Sequence, residues 1–135
     1  MSEHNAEAIN QLGRTFLFHA NTPLYLGSLE NPDGSARLVG QCGDAIKIDV
    51  KIRGDIIDEI RMIPDGCVFT RVCGDVVSEL ADKKTVDQAL EIEPEQVSDI
   101  LGDDLPPDHM HCARLAVNTL GEAIAEALWK KAATS

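Results

Sequence analysis

The stretch GQCGDAIKIDVKI, Gly40 to Ile52, sets Ile46, Ile48, Val50 and Ile52 on one side of an alternation and Lys47, Asp49 and Lys51 on the other. A period of two with apolar residues on one side is the signature of a half-buried strand. Cys42 and Asp44 stand immediately ahead of it, a soft thiol and a hard carboxylate separated by Gly43, the residue that lets the backbone turn freely.

Working outward, Arg53-Gly54-Asp55 is a tight polar connection to a second β-rich run, Ile56 to Ile63, so the two runs form an antiparallel hairpin. Ala36 to Gly40 is apolar enough for a short preceding strand. Pro64-Asp65-Gly66 ends the sheet and leaves Cys67 on the exit turn. In the following VFTRVCGDVVSELA, Val68, Val72, Val76 and Leu80 recur every four residues, which predicts a helix weakened somewhat by Gly74.

Two short helices follow over Thr85 to Ala89 and Pro94 to Leu101, the second with Pro94 as starter and Gly102 as stop. Leu105-Pro106-Pro107 is extended. From Met110 to Lys131, Leu115, Leu120, Ile124 and Leu128 mark a long amphipathic helix with Lys130 and Lys131 at its C-terminal end. At the other terminus, Ala6, Ile9, Leu12, Phe16 and Leu17 predict a helix within residues 5 to 20, followed by a loop from Asn21 to Gly34 rich in Asn, Pro and Gly. The order α-β-β-β-α-α-α-α implies the α+β class: a small three-stranded antiparallel sheet with helices packed on one face and a long C-terminal helix.

The 135 residues suit one domain, 1-135, long enough to bury a core without disulfide or metal staples. Apolar residues are 44% and charged residues 26%, values of a globular protein. Twelve Lys and Arg against 23 Asp and Glu give a net charge of -11, which repels phosphate backbones and anionic membranes, so nucleic acid and membrane partners are not expected. The N-terminal MSEHNAEAIN lacks the pattern of a secretory signal, and no apolar run spans a bilayer. A cytoplasmic location is the expectation, and there four cysteines read as thiols or metal ligands rather than disulfides.

Three of those cysteines share a position type. Cys42 enters a strand, Cys67 opens a helix, and Cys112 lies in the first turn of the last helix directly after His111. Unpaired amides at helix starts lower thiol pKa values, which predisposes Cys67 and Cys112 to be thiolates. Their separations of 25 and 45 residues match no paired zinc-ribbon spacing, but a fold that converged these ends would assemble Cys42, Cys67, Cys112, Asp44 and His111. Thiolates select zinc and iron-sulfur clusters, whereas carboxylate and imidazole hold less tightly. Cys73, inside a helix between Val72 and Val76, suits a small buried hydrophobe. His4, His19 and His109 read as surface residues.

The segments CGDAIKIDVKI, GCVFTRVCGD and LPPDHMHCARLAVNTLGEAI resemble the three cysteine segments of the iron-sulfur cluster assembly scaffold family, the IscU proteins and the N-terminal domain of NifU. The resemblance runs from about Phe18 to Lys131 and includes the loop NTPLYLGSLENPDG. It implies that Cys42, Cys67 and Cys112 bind a nascent cluster, most readily [2Fe-2S], with His111 or Asp44 as fourth ligand. It further implies a cysteine desulfurase as sulfur donor, apo iron-sulfur proteins as acceptors, and zinc as a frequent occupant of the cluster-free site. On this reading the protein is a non-catalytic scaffold, and Asp44 is the weak ligand that keeps the cluster deliverable. The alternatives are a sulfur-transfer protein with Cys112 as persulfide acceptor and a plain zinc-binding module. One departure is Leu105-Pro106-Pro107-Asp108-His109, where the family's chaperone-recognised members have an apolar residue and a lysine after the prolines. Their loss argues against a dedicated Hsp70 partner.

Overall fold

The structure is a computed structural model that describes residues 13–134. It contains α1 (Arg14–Asn21), β1 (Gly34–Val39), β2 (Ala45–Arg53), β3 (Ile56–Asp65), α2 (Val68–Ala81), α3 (Val86–Leu90), α4 (Pro94–Leu101) and α5 (Met110–Thr134). The strands form an antiparallel sheet in the order β1-β2-β3. The expected α+β class and long last helix are therefore present. Of the predicted N-terminal helix, residues 5–12 lie outside the described residues, and the described part is α1.

The alternation that predicts β2 also orients the sheet. Ile46, Ile48 and Val50 are fully buried, and their partners across the ladders, Leu38, Ala36 and Gly34 on β1 and Pro64, Met62 and Ile60 on β3, share that face. Both long helices pack on it. At Gly34 the approach of α5 is so close that a Cβ would lie 2.0 Å from the Ala123 carbonyl oxygen and 2.8 Å from the Ala127 Cβ. At Gly74 of α2 a Cβ would meet the Met62 sulfur at 3.1 Å, so the glycine that weakens the helix locally also lets it seat on β3.

Between Lys51↔Glu59 and Ile52↔Ile57 the register shifts, leaving Asp58 without a partner. This bulge turns both Ile57 and Ile60, three residues apart, toward the core. The opposite face departs from the simple alternation. Asp49 is buried, because the loop after α1 folds over it: its carboxylate accepts the Leu29 amide at 3.0 Å and the Ser35 hydroxyl at 2.6 Å, with the Lys47 ammonium at 3.5 Å.

Pro64 and Asp65 continue β3 rather than ending it, pairing with Ile46 and Ala45. A proline is tolerated there because β3 is an edge strand, where one side of the backbone needs no ladder bond. Elsewhere that edge is covered. Met62 exchanges backbone hydrogen bonds with Tyr25 and Gly27, and Ile57 does so with Lys83 and Lys84. Leu105 and Pro106 are extended as expected, but Pro107 already begins a 3₁₀ turn, Pro107–His109, that leads into α5.

His19, expected at the surface, is buried. Its Nδ1 lies 2.6 Å from the Asp75 carboxylate, which also accepts the Tyr25 amide at 3.1 Å, and the pair bolts α1 and its following loop onto α2. Cys73 is fully buried, as expected, and burial drives its thiol pKa far up.

The contact at Gly34 generates a test. Gly34→Ala places a methyl group against helix backbone that cannot yield, so it is expected to cost at least about 1–3 kcal/mol, the usual range for overpacking. Urea denaturation of parent and variant measures it; equal stability would show that α5 can shift away from β1 freely.

Candidate metal centre

Three chain segments meet at one end of the sheet. The β1–β2 turn is closed by the Gly40 amide on the Asp44 carbonyl at 2.7 Å and the Gly43 amide on the Gly40 carbonyl at 3.1 Å. Gly43 takes φ +90°, a conformation that side-chain-bearing residues rarely adopt. This turn presents Cys42 to solvent. Cys67 is the extended N-cap residue of α2 and is also exposed, while Cys112 lies in the first turn of α5 and is fully buried.

The Asp44 carboxylate ties the turn to α2. One oxygen accepts the Thr70 hydroxyl at 2.6 Å and the Cys67 amide at 3.2 Å, so Asp44 caps a helix 24 residues further along the chain. The Thr70 hydrogen bond, followed by that from the Cys67 amide, holds the Asp44 carboxyl below its ordinary range. Gly66 permits the contact, since a Cβ there would lie 2.4 Å from the Asp44 Cγ.

Thr70 is buried between the acid and the thiols, with its Oγ1 3.6 Å from Cys67 Sγ and 3.7 Å from Cys112 Sγ. A hydroxyl has one proton, and the 2.6 Å contact assigns it to Asp44. The same hydroxyl is also placed to donate to Cys112 Sγ, so the carboxylate and the sulfur compete for one proton and the shorter contact goes to Asp44.

The expectation of a thiolate at Cys112 is corrected. Burial pushes its thiol up to about 11, outweighing the helix start, so the metal-free site holds Cys112 protonated at neutral pH. A bound metal reverses this, because ligation requires the thiolate.

The imidazoles divide the site. His111 turns to the turn cysteine, with Nε2 3.2 Å from Cys42 Sγ. Neighbours on a helix point about 100° apart, and Cys112 accordingly faces inward toward Thr70. His109 is not the expected surface residue. Its ring stacks on Phe69, with centroids 4.0 Å apart, and its Nδ1 lies 4.0 Å from Cys112 Sγ. Ligand atoms of Cys67, His109 and Cys112 all fall within 4.8 Å of one another. The spacing of His109 and Cys112, three residues apart at a helix start, is the signal that could have found this pair. His4 lies outside the described residues.

The fold and this end of it define an α+β protein whose sheet turn and two helix starts converge on thiol, imidazole and carboxylate donors. Residues 14–134 match the family described as NifU-like N terminal domain, and the chain belongs to that family. It is 32% identical over 109 residues to iron-sulfur cluster assembly scaffold protein IscU 1 of Archaeoglobus fulgidus, covering 80% of this chain and 71% of that protein. Against the scaffold protein IscU of Escherichia coli K12 it is 31% identical over 113 residues, covering 80% and 87%. The crystal structure of a nitrogen-fixing NifU-like protein (N-terminal) from Brucella abortus superposes with a TM-score of 0.74 at 15% identity, over 90% of this chain and 98% of that one, and shows a shared fold.

The cap predicts a titration. Thr70→Val removes the first cause of the depressed Asp44 pKa, so the Asp44 carboxyl should titrate nearer its ordinary 3.8 in a ¹³C NMR titration of metal-free protein. Because the folded pKa is depressed, the stabilisation it brings is present above the unfolded value and lost as pH falls through the folded one. The parent should therefore lose relative stability below about pH 4, and the variant should lose less. An unmoved Asp44 titration in Thr70→Val would refute the assignment of the hydroxyl proton.

Proposed function

We propose that this chain is a scaffold on which an iron-sulfur cluster is built from iron and desulfurase-derived sulfur and then handed to acceptor proteins. The carrying observation is that three distant segments meet at one end of the sheet, with donor atoms of Cys67 and Cys112 within 4.8 Å of one another and Cys42, on the turn that Asp44 ties to Cys67 and Thr70, 3.2 Å from the His111 imidazole. Membership of the family, and relatives named as cluster assembly scaffolds, support the same reading. The protein's role is to hold and release rather than to transform a substrate, with residues 1-135 acting as one scaffold domain.

Cys42, Cys67 and Cys112 hold the cluster, a [2Fe-2S] unit, and His111 or Asp44 completes coordination. The exposed mouth at Cys42 and Cys67 gives a cysteine desulfurase and an apo-acceptor access to the cargo, and zinc suits the same donors when no cluster is present. Asp108 and His109 after the prolines depart from the segment that a dedicated Hsp70 recognises in the family, which weakens the case for such a partner. Among the described residues no helix is long and apolar enough to cross a membrane. The raised Cys112 pKa disfavours an unaided thiol nucleophile at that position, and the large buried core needs no zinc to fold.

Anaerobic reconstitution with ferrous iron, cysteine and a desulfurase, followed by iron and sulfide analysis, tests the reading. Changing Cys42, Cys67 or Cys112 singly to Ser should abolish a stable cluster, whereas Cys73→Ser should keep it. Burying an unmatched hydroxyl at position 73 costs about 1–3 kcal/mol, so the comparison is made well below the melting temperature. A cluster lost in Cys73→Ser and retained in the Cys42 variant would overturn the assignment.

Asp44→Ala separates a delivering site from a retaining one. If the carboxylate exchanges Thr70 for iron during transfer, the variant should still assemble a cluster but pass it more slowly to an apo-ferredoxin. It should also lose about 0.5–2 kcal/mol of stability with the cap. A stability loss with transfer as fast as the parent's would leave Asp44 as a cap alone.

A further inference from the structure

We propose that His109 is itself a metal ligand, completing with Cys67 and Cys112 an inner three-donor set distinct from the outer pair Cys42 and His111. The inference rests on the metal-binding reading above and adds to it a residue that the sequence alone places at the surface.

Three observations carry it. The first is proximity. A tetrahedral metal with bonds of about 2.0–2.3 Å places its ligands roughly 3.5–3.8 Å apart. The three donor atoms lie within 4.8 Å of one another, and the His109 Nδ1 is 4.0 Å from Cys112 Sγ, so sub-ångström to one-ångström contraction closes the set. The second is orientation. The His109 ring is stacked on Phe69 at 4.0 Å and 26°, and Phe69 in turn packs against Phe16 at 5.4 Å, so the ring is held by aromatic contacts on α2 and α1. Stacking on a neighbour two residues after Cys67 fixes the imidazole beside that thiol while leaving its nitrogens free of any competing acceptor closer than Cys112 among the described residues.

The third is the division of labour between the two histidines. Their ring centroids are 5.7 Å apart, and His111 Nε2 already sits 3.2 Å from Cys42 Sγ on the outer side of the site. Asp44, meanwhile, has its carboxylate engaged by Thr70 and the Cys67 amide. In this arrangement the nitrogen donor nearest to the Cys67 and Cys112 thiols is that of His109. Two thiolates and an imidazole are a donor set suited to zinc or ferrous iron, and three protein ligands leave a fourth position open. A single divalent ion taken up by the inner set would thus wait with one position exposed toward Cys42 and His111.

Zinc supplies the test with a readout independent of cluster assembly. Metal-free protein is titrated with Zn(II) against a chromophoric chelator, and imidazole nitrogens are followed by long-range ¹H–¹⁵N NMR. In the parent, a His109 ring nitrogen should move to a metal-bound shift. His109→Phe keeps the ring stack on Phe69 but removes the donor, and His109→Ala removes both. Both should bind zinc at least about tenfold more weakly than the parent, a loss that even an indirect partner of a metal ligand produces. Circular dichroism of each variant confirms that the fold persists. Zinc binding by His109→Phe as tight as the parent's, with the His109 nitrogens unmoved in the parent, overturns the proposal. If Cys67→Ser and Cys112→Ser lose zinc in that same case, only the role of His109 falls. If those two variants keep zinc at parental affinity, the metal site itself is misassigned and His109 falls with it.

Discussion

The arrangement depends on one carboxylate. Asp44 accepts the Thr70 hydroxyl and the Cys67 amide, and so fastens the β1–β2 turn to the beginning of α2 across an interval in which the chain has built two whole strands. Without that link the turn carrying Cys42 would keep only its contact with His111 on α5 and would lose its tie to Cys67. The link also explains two glycines: Gly43 supplies the left-handed turn that aims Asp44, and Gly66 leaves room for the carboxylate to reach the amide. A charged cap of this kind is stronger than a neutral one because an ionised acceptor takes each hydrogen bond.

Thr70 is the hub beneath it. Its one hydroxyl faces the Asp44 carboxylate, to which it donates at 2.6 Å, and both sulfurs, so the state of the thiols and the attachment of the turn are joined through one oxygen. Were Cys112 to ligate a metal as a thiolate, its sulfur would be a stronger acceptor for that hydroxyl. Thr70 then has reason to turn its proton from carboxylate to thiolate, which would free Asp44. The thiols and the mechanical tie of the turn are thus parts of a single hydrogen-bond network.

Much of this was legible in the sequence because it is written in short periods. The alternation from Ile46 to Val50 fixed a strand and its buried face, four-residue recurrence fixed α2, and the ends of those elements marked Cys42, Cys67 and Cys112. What could not be read was set by contacts between distant segments. Alternation reports which residues share a face but not that a loop will cover the other, so the burial of Asp49 could not be read from it. His19 is buried by its pairing with Asp75, 56 residues away, and His109 is drawn into the site by the ring of Phe69. The Cys112 pKa failed for a related reason: a helix-start rule is local, whereas the burial that outweighs it is made by the whole fold.

The missing side chain at Gly34 has a mechanical consequence. It lets the backbone of α5 rest on the backbone of β1 near Ala123 and Ala127, while Cys112 sits at the other end of the same helix. At 1.5 Å per residue the arm from Ala127 to Cys112 is about 22 Å long. Between those points the helix is buried at Ala113, Ala116 and Leu120, so it is held along its length, and a tilt of about five degrees about the Gly34 contact, carrying Cys112 about 2 Å, would disturb all of that packing. The helix is thus seated on the sheet by a missing side chain, and any bulk added at position 34 would press on the same rod that carries Cys112.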